Sequence, residues 1–301
     1  MVFIGTGAAV PTRERGLPCI AVCRRGRCIL LDAGEGSQRS LTVYGVSPLR
    51  IDAVFITHLH GDHVFGLPGL LQSMGMAGRS RPLLVAGPPG LRGFLEAAAK
   101  ATWWTPPFPL VVEELGPGAR VEVPQAGLVV EAFEADHTVP ALGYRVEEAP
   151  GEPRIDIEAA RRLGVARPEL LRRLRSGESV YSEKLGRMVE PGEVLRRPRS
   201  LAVVYTGDTR PSRRVVDAAR GADVLIHDST FASDMEGEAW EQGHSTARDA
   251  ALAAEEAGAR LLVLFHISAR YRSPERLLDE ARRIHPETVA AVDGARLPLR
   301  L

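Results

Sequence analysis

Four side chains able to bind a metal ion lie within six residues, in the stretch His58-Leu59-His60-Gly61-Asp62-His63. The stretch follows an apolar run, Ala53–Ile56, whose length and composition are typical of a buried strand. In a tight loop, the first two histidines would point one way and the last two residues toward a neighbouring position. Imidazole and carboxylate ligands without cysteine favour zinc or another first-row ion. The spacing therefore predicts a metal centre, and it suits two ions better than one.

Further ligand-type side chains follow other apolar runs along the chain. They are Glu134, Asp136 and His137 after Leu128–Ala132, Asp208 after Leu201–Tyr205, His227 and Asp228 after Val224–Ile226, and His266 after Leu261–Phe265. An open sheet assembles a site at one edge from the loops that follow its strands. The pattern predicts that distant parts of the chain contribute to one centre.

The elements that must position these side chains are short strands with helices between them. Nine apolar runs bounded by glycine and polar clusters predict strands; besides those above, they are Val2–Ile4, Ile20–Val22, Cys28–Leu31 and Leu83–Ala86. Thr246–Gly258 is predicted as a helix because a Thr-x-x-Asp capping pair begins it and a glycine ends it. Ser273–Ile284 begins with Ser-Pro, another helix start. This mixture predicts an α/β protein.

Composition excludes several classes of protein. The chain has 301 residues, of which 45% are hydrophobic and 25% charged, as in an ordinary globular protein rather than a disordered or fibrous one. No apolar run reaches the roughly 20 residues of a membrane span, and Met1–Pro11 does not resemble a secretory signal. We therefore expect a cytoplasmic protein without membrane contact. Cys19, Cys23 and Cys28 are predicted to be reduced strand residues, with a disulfide as the less favoured alternative, and a hairpin turn is predicted between Cys23 and Cys28.

One segment differs in charge from the rest of the chain. The whole sequence has 38 basic and 38 acidic residues, but residues 154–200 contain twelve basic and seven acidic ones. Two helix-like pieces, Ile157–Leu163 and Pro168–Leu174, precede a turn-rich run, Ser176–Arg199. The apolar content is interpreted as too thin for a separate core. Composition alone leaves open whether the segment is a solvated insertion or an arm that binds phosphates.

The histidine-rich stretch matches the HxHxDH motif of the metallo-β-lactamase superfamily, and the chain resembles the ribonuclease Z family, whose members mature tRNA 3′ ends. The most specific matching stretches are Gly243-His244-Ser245-Thr246 and His266-Ile267-Ser268-Ala269-Arg270-Tyr271. The resemblance implies a metallo-β-lactamase fold, a four-layer αβ/βα sandwich in which two mixed sheets face each other. It also implies a single such domain over 1–301 with a basic, exosite-like inserted arm at 151–200.

By the same resemblance, two Zn²⁺ ions per subunit would be bound at the centre. The ligands implied are His58, His60 and His137 for one ion, Asp62, His63 and His266 for the other, and Asp208 between them. Asp62 would be the general base, and His244 would donate a proton to the leaving 3′-oxygen. Asp228 would position His244, although the family usually has glutamate there. Asp32 is implied as a hydrogen-bond acceptor that orders the ligand loop, with a turn residue as the alternative.

The function implied is a zinc-dependent endoribonuclease that cuts precursor tRNA after the discriminator base, leaves a 3′-hydroxyl and works as a homodimer. One alternative is another hydrolase of this fold, a phosphodiesterase or arylsulfatase-like enzyme acting on small esters. Another is an RNA-binding pseudoenzyme, which the intact ligand set disfavours. Arg270 and Tyr271 could contact phosphate or make structural ion pairs, and Trp103 and Trp104 are interpreted as core or dimer-contact residues.

Two stretches depart from the family pattern. The loop Pro11–Gly16 keeps its basic charge but lacks the family's terminal amide, so discrimination against transcripts that carry CCA is left open. The arm has Ala166–Leu171 where the family often has a Gly-Pro-x-Tyr element that grips the tRNA elbow. The position and charge of an arm are kept, whereas its motif is not.

Overall fold

The structure is a computed structural model, and it describes residues 1–149, 151–196 and 200–299. The chain divides into two compact units, a body of Met1–Glu147 with Leu201–Arg300 and an arm of Glu148–Ser200. None of the helices in the described ranges is long and apolar enough to cross a bilayer.

The first sheet of the body places the histidine-rich stretch at its edge. Among the described residues it has six strands, in the spatial order Val2–Gly5, Cys19–Arg24, Arg27–Leu31, Ile51–Phe55, Leu83–Gly87 and Leu110–Glu114. Each of the first three strands is antiparallel to its neighbour in this group. The four strands from Arg27–Leu31 onward run parallel to one another. Since parallel strands end at the same edge of a sheet, Asp32 and His58 follow neighbouring strands there.

The second sheet places the other ligand-type residues in the same way. Its strands within the described ranges are, in spatial order, Thr288–Ala290, Leu262–Phe265, Val224–Asp228, Ala202–Tyr205, Ala141–Glu148, Leu128–Ala135 and Arg120–Val123. The first four run parallel. Asp208, Asp228 and His266 therefore lie at or just beyond the carboxyl ends of neighbouring strands.

The two sheets face each other across a common apolar core. Phe55 of the first sheet and Tyr144 of the second meet edge to face with ring centroids 5.4 Å apart, and Phe3 lies against Phe265. Helices cover the outer faces: Ser37–Val43, Gly66–Met76 and Leu91–Ala101 on the first sheet, and Arg213–Ala218, Ala247–Ala257 and Glu275–Arg282 on the second. This confirms the four-layer sandwich.

Short elements complete the body. The two-residue strands Gly7–Ala8 and Ile267–Ser268 pair in parallel, and the remaining short pieces are the helices Gly61–Val64 and Glu236–Gln242 and the 3₁₀ turns Pro48–Arg50 and Ser233–Met235. The small parallel pair brings the segment before Ala9 beside the segment after His266.

The nine predicted strands are confirmed, with ends that differ by at most three residues. The sequence analysis missed Leu110–Glu114, Arg120–Val123, Ala141–Glu148 and Thr288–Ala290. Most of these are short or lie at a sheet edge, where half-exposed residues give no continuous apolar run. The two helices predicted in the body are present as Ala247–Ala257 and Glu275–Arg282. Thr246 and Asp249 form the expected capping box.

The favoured prediction, that all three cysteines are reduced, is wrong for two of them, and the disulfide alternative is correct. Cys23 and Cys28 form a disulfide, whereas Cys19 is a buried free thiol. The two bonded residues are directly opposite each other in the hairpin formed by Cys19–Arg24 and Arg27–Leu31, with Cα atoms 4.1 Å apart. The predicted hairpin turn is therefore confirmed, and the strand register that places the two cysteines opposite each other allows them to pair.

The arm has more structure than the sequence analysis predicted. Its ends pair as the antiparallel strands Arg154–Ile155 and Leu195–Arg196; between them lie the helices Ile157–Arg162, Pro168–Arg175 and Pro191–Val194 and the hairpin Val180–Ser182 with Arg187–Val189. The two predicted helices are therefore confirmed, but the run Ser176–Arg199 is not all turns; its residues 197–199 lie outside the described residues.

The arm also has an apolar core, so the prediction that it could not form one is wrong. Its buried members are Ala160, Val165, Leu174, Val180, Val189 and Val194. These residues are far apart in the sequence and form no run, which is why composition understated them. The hairpin and the helices bring them together.

Candidate metal centre

The ligand loops of the two sheets converge at one edge of the body. His60 precedes the short helix Gly61–Val64, which contains Asp62 and His63. The backbone N–H of Ala9 donates a hydrogen bond of 2.9 Å to Oδ2 of Asp62. The N-terminal loop therefore orients a carboxylate that lies 53 residues further along the chain.

His58, His60 and His137 form the first cluster. Nδ1 of His60 lies 3.2 Å from Nε2 of His58 and 3.2 Å from Nε2 of His137. Nitrogens bound to a tetrahedral zinc ion at about 2.0–2.1 Å are separated by about 3.3–3.4 Å. The three rings therefore face one another at the spacing that a shared cation requires.

The second cluster contains Asp62, His63, Asp208 and His266. Nε2 of His266 lies 3.4 Å from Nε2 of His63 and 3.4 Å from Oδ2 of Asp62. Oδ1 of Asp208 is 3.3 Å from Nε2 of His63. Two imidazoles and two carboxylates at these separations form a donor set suited to a divalent first-row ion.

Asp208 lies between the two clusters. Its Oδ2 is 3.6 Å from Nε2 of His58 in the first cluster, and its Oδ1 faces the second. Asp208 is 98% buried, yet Oδ1 has no hydrogen-bond partner of acceptable geometry among the described residues. Leaving a buried carboxylate oxygen without a donor is costly unless a cation binds it. The residues therefore fit a pair of divalent ions that share this carboxylate.

In most of the ligand histidines, the ring nitrogen that points away from the metal position has a hydrogen-bond partner of its own. Nδ1 of His266 lies 2.8 Å from Oγ1 of Thr230, and Nδ1 of His137 lies 2.7 Å from the carbonyl oxygen of Gly243. Such partners fix the tautomer and turn Nε2 toward the metal position. Nδ1 of His58 has a corresponding contact with Oγ1 of Thr57 at 3.0 Å.

Asp32 provides the equivalent partner for His63. Its Oδ2 is 2.8 Å from Nδ1 of His63 and accepts a hydrogen bond of 2.8 Å from the hydroxyl of Tyr205. Its Oδ1 accepts from the backbone N–H of Thr57 at 2.7 Å. The buried carboxylate thus joins the ligand loop of one sheet to a strand of the other, as the sequence analysis expected of a residue that orders the loop.

Two residues of the centre have a backbone conformation that is unusual for residues other than glycine. Asp32 has φ of 59° and His266 has φ of 57°. L-residues adopt this left-handed region at a cost that the surrounding structure must offset. Both side chains are buried and hydrogen-bonded, so the fold holds them in place.

Burial and neighbouring charges set the protonation of the ligands. Burial holds the pKa of His58 well below its ordinary value, which favours the neutral ring that binds metals. Burial alone would raise the pKa of Asp208, but the rings of His266 and His63 hold it well below its ordinary value. Asp208 is therefore a carboxylate rather than an acid.

His244 and Asp228 form a separate pair beside the clusters. Nδ1 of His244 lies 2.8 Å from Oδ2 of Asp228. The backbone N–H of Thr209 and the hydroxyl of Thr230 donate to the same carboxylate, at 3.1 and 2.7 Å. Although burial opposes the charged ring, Asp228 raises the pKa of His244 to about 9. The shorter aspartate therefore reaches the histidine that a glutamate contacts in the family pattern.

Comparisons with known proteins agree with this geometry. A sequence model of the metallo-β-lactamase superfamily matches residues 14–158, and one of a β-lactamase superfamily domain matches residues 191–267. Ribonuclease Z of Ignicoccus hospitalis is 44% identical over 292 residues, covering 97% of this chain and 95% of that protein. Ribonuclease Z of Myxococcus xanthus is 43% identical, with coverage of 100% and 98%. The chain belongs to the ribonuclease Z family.

A solved structure supports membership of the ribonuclease Z family. Human tRNase Z, short form, superposes with a TM-score of 0.71 at 28% identity, covering 100% of this chain and 99% of the human one. The resemblance drawn from the sequence motifs is thereby confirmed, together with the fold that it implied.

Some candidate residues of the sequence analysis lie outside the two clusters. His227 is buried with Nδ1 2.8 Å from the carbonyl oxygen of Asp228, and it belongs to none of the groups of described residues that could hold a metal. Glu134 pairs with Arg214 at 3.0 Å, and Asp136 pairs with Arg210 at 3.0 Å. A ligand-type residue after a strand is therefore not always a ligand.

The sequence analysis left open whether Arg270 and Tyr271 contact phosphate or have a structural role. Both make contacts within the protein. Arg270 pairs with Glu238 at 3.0 Å, and its guanidinium lies 4.8 Å from the ring centroid of Phe231. The hydroxyl of Tyr271 accepts a hydrogen bond from the backbone N–H of Ala232.

Sequence reasoning missed several partners in the centre, namely Thr57, Thr230 and the carbonyl of Gly243. Thr57 directly precedes the motif and could have been found from that position. A backbone carbonyl has no sequence signal, because every residue has one.

Proposed function

We propose that the protein is a zinc-dependent endoribonuclease that removes the 3′ trailer of precursor tRNA after the discriminator base and leaves a 3′-hydroxyl. The relatives named ribonuclease Z and the human tRNase Z structure support this substrate. The observation that carries the proposal is the position of Asp208, whose two oxygens face two separate clusters of ligand-type residues. A pair of cations at such spacing suits hydrolysis of a phosphodiester.

The cofactors proposed are two Zn²⁺ ions per subunit. His58, His60 and His137 would hold one, Asp62, His63 and His266 the other, and Asp208 would contact both. When bound, the pair would polarise the scissile phosphate and lower the pKa of the attacking water.

Asp62 is the proposed general base. Its carboxylate is 13% exposed, and its Oδ2 is oriented by the N–H of Ala9. Although burial would raise its pKa, contacts with His266 and His63 hold that pKa below the ordinary value, so the group is charged at neutral pH. In this role Asp62 would accept a proton from the attacking water.

His244 is the proposed proton donor, and Asp228 is a positioning residue that acts through it. With a pKa of about 9, the ring carries its proton at neutral pH. The proton passes from His244 to the 3′-oxygen that leaves as the phosphodiester breaks. Because Asp228 holds Nδ1, Nε2 is the nitrogen that donates.

The arm is proposed to bind tRNA, so that residues 151–200 act as a recognition element within the one fold. Residues 154–200 have about five more basic than acidic residues, and arginines such as Arg161, Arg172 and Arg175 are exposed. Such a surface binds phosphates by position rather than by base sequence.

A homodimer is proposed as the working unit. Met76 is 90% exposed and Trp103 is 97% exposed, at the ends of two packed helices of the first sheet. Leu71, Leu95 and Trp104 line an apolar recess of about 250 Å³ on these helices. Sedimentation equilibrium should give twice the chain mass for the wild type and the chain mass for Trp103→Glu.

We propose the cytoplasm as the site of action, because precursor tRNA is the proposed substrate. The disulfide between Cys23 and Cys28 is uncommon for a protein of that compartment. Thiol labelling of protein taken from intact cells would show whether Cys23 and Cys28 are reduced or disulfide-bonded in the cell.

The test of function is incubation of the purified protein with labelled precursor tRNA, beside an Asp62→Ala control. A product that ends in a 3′-hydroxyl at the discriminator base, lost in the control, is expected. Metal analysis should find two zinc ions per chain. Hydrolysis of small phosphodiesters without any cleavage of precursor tRNA would instead favour a small-ester hydrolase.

A further inference from the structure

Trp240 is an exposed aromatic side chain close in the sequence to the proposed proton donor. It lies in the helix Glu236–Gln242, four residues before His244 in the sequence, and it is 56% exposed. Exposed tryptophan is uncommon because burial of the indole is so favourable. The proposed chemistry at His244 gives this ring no role.

Arg210 holds the ring in place. Its guanidinium lies 5.4 Å from the ring centroid of Trp240, within the range of a cation–π contact. Nε donates to the carbonyl oxygen of Trp240 at 2.7 Å, and Nη1 donates to Oδ1 of Asp136 at 3.0 Å. The guanidinium is therefore fixed by two hydrogen bonds, and it supports an indole of which more than half is exposed.

Both residues are tied directly to the metal centre. Arg210 follows Asp208 by two positions, and its partner Asp136 immediately precedes His137. The helix of Trp240 ends at Gln242 and is followed by the C-cap residue Gly243, whose carbonyl oxygen lies 2.7 Å from Nδ1 of His137. The N–H of His244 donates to the carbonyl of Ala239, beside Trp240. The ring therefore has a fixed position relative to the metal ligands and the proton donor.

The charge of the helix indicates which part of a nucleic acid would contact it. Glu236, Glu238 and Glu241 surround Trp240 in the sequence, and Glu238 is already paired with Arg270. Acidic side chains repel phosphates, whereas a neutral base has no such penalty. Base–indole stacking needs only one open aromatic face and is tolerant of sequence.

We infer that Trp240, backed by Arg210, is a stacking platform for an unpaired nucleobase next to the scissile phosphate. The inference rests on the proposed endoribonuclease function and adds a substrate-binding residue to it. The platform binds the base on one side of the cut, either the discriminator or the first trailer nucleotide.

The first experiment separates stacking from a structural role. With precursor tRNA, Trp240→Leu should raise KM by about 10- to 100-fold with kcat nearly unchanged, and Trp240→Phe should restore most of the loss. The kcat for bis(4-nitrophenyl) phosphate, which has no nucleobase, should not change in either variant; its KM is not compared, because a nitrophenyl ring can itself stack on the indole. The control is Leu252→Ala, a 45% exposed residue on a neighbouring helix, with no effect on either substrate.

The salt dependence of KM gives a second readout. Because the platform contacts no phosphate, Trp240→Leu should leave the slope of log KM against log salt unchanged. A KM within about twofold of the wild type would overturn the inference. Equal loss of small-ester hydrolysis in the Leu and Phe variants would do so too, since the ring would then be structural.

The second experiment identifies the base. Precursor tRNAs with an abasic residue at the discriminator, or at the first trailer position, are compared in wild type and Trp240→Leu. At the position that stacks on Trp240, the abasic residue should raise the KM of the wild type by as much as Trp240→Leu does. It should raise the KM of the variant no further. If, at both positions, the effects of the abasic residue and of Trp240→Leu on KM are independent and multiply, the inference is overturned.

The failure of the proposed function has a different signature. In that case the wild type would hydrolyse bis(4-nitrophenyl) phosphate but leave every precursor tRNA uncut.

Discussion

The metal centre and the arm use charged residues in opposite ways. In the centre, His58 and His63 are fully buried, and their Nδ1 atoms contact Thr57 and Asp32. In the arm, the ion pair of Arg173 with Glu178 has both side chains more than half exposed. Buried polar and ionisable groups need hydrogen-bond partners, whereas exposed ion pairs contribute roughly 0–1 kcal/mol. The centre is built for fixed geometry, whereas the exposed charges of the arm suit the phosphate binding that we propose for it.

The two regions also differ in what supports them. The centre lies at the edge of two sheets with cores on both faces of each sheet. The arm relies on a small cluster, of which six buried members are found in its described residues. Small cores leave little margin of stability. Perturbations of the arm should therefore stay local, whereas those of the centre should affect every substrate.

Asp208→Ala should have the largest effect and should not depend on the substrate. Removing the carboxylate that faces both clusters should lower kcat/KM by about 1000-fold or more, for precursor tRNA and for bis(4-nitrophenyl) phosphate alike. Bound zinc should fall in parallel, as measured by metal analysis. The control is Asp217→Ala, an exposed carboxylate in the helix Arg213–Ala218. Two retained zinc ions with near-normal rates would show that Asp208 does not join the clusters.

Deletion of the arm should separate the two substrates. Its end strands Arg154–Ile155 and Leu195–Arg196 pair with each other, so a short Gly-Ser linker can replace the residues that they enclose. Loss of the phosphate contacts should lower kcat/KM for precursor tRNA by about 1000-fold. Hydrolysis of the small ester should stay within twofold. Unchanged tRNA cleavage would show that the arm is only a solvated insertion.

Asp32→Asn should weaken the centre without removing a ligand. The amide cannot replace a carboxylate that accepts from Thr57 and Tyr205 and contacts His63. Zinc affinity should fall by about 10- to 100-fold, as measured by competition with a chelator. Tyr205→Phe removes only one hydrogen-bond donor to Asp32, so zinc affinity should fall by less than in Asp32→Asn. Equal zinc affinities for Asp32→Asn and the wild type would exclude the orienting role.

Leu174→Ala should have the smallest effect on the centre and a local effect on the arm. Leu174 is fully buried in the arm core, and its truncation should cost about 2–5 kcal/mol of local stability. Hydrogen exchange should quicken in the arm alone, with the small-ester activity of the body unchanged. Leu185→Ala, at a 42% exposed site in the same arm, is the matched control. Faster exchange throughout the body would show that the two units unfold together.

Local patterns in the sequence predicted much of the body. The strand Ile51–Phe55 and the helix Ala247–Ala257 were found because an apolar run and a capping box are properties of adjacent residues. The HxHxDH stretch predicted a metal centre by itself. The assignment of His137, Asp208 and His266 to particular clusters came from the family resemblance, since strand ends such as His227 offer the same residue types.

Other features had a weaker signal or none. The disulfide of Cys23 with Cys28 depends on hairpin register, and the arm core depends on isolated apolar residues that meet only after folding. The contact of Arg210 with Trp240 joins residues 30 positions apart that neither periodicity nor motif connects.

By itself, the sequence determined nine of the strands to within three residues and the metal-binding side chains that follow several of them, because these properties depend on neighbours a few residues away. Only the tertiary structure decided that His63 and His266, 203 residues apart, face each other at 3.4 Å, and that Asp208 lies between two clusters. The physical reason is that such distances follow from the packing of two sheets across a shared core, to which the whole body contributes.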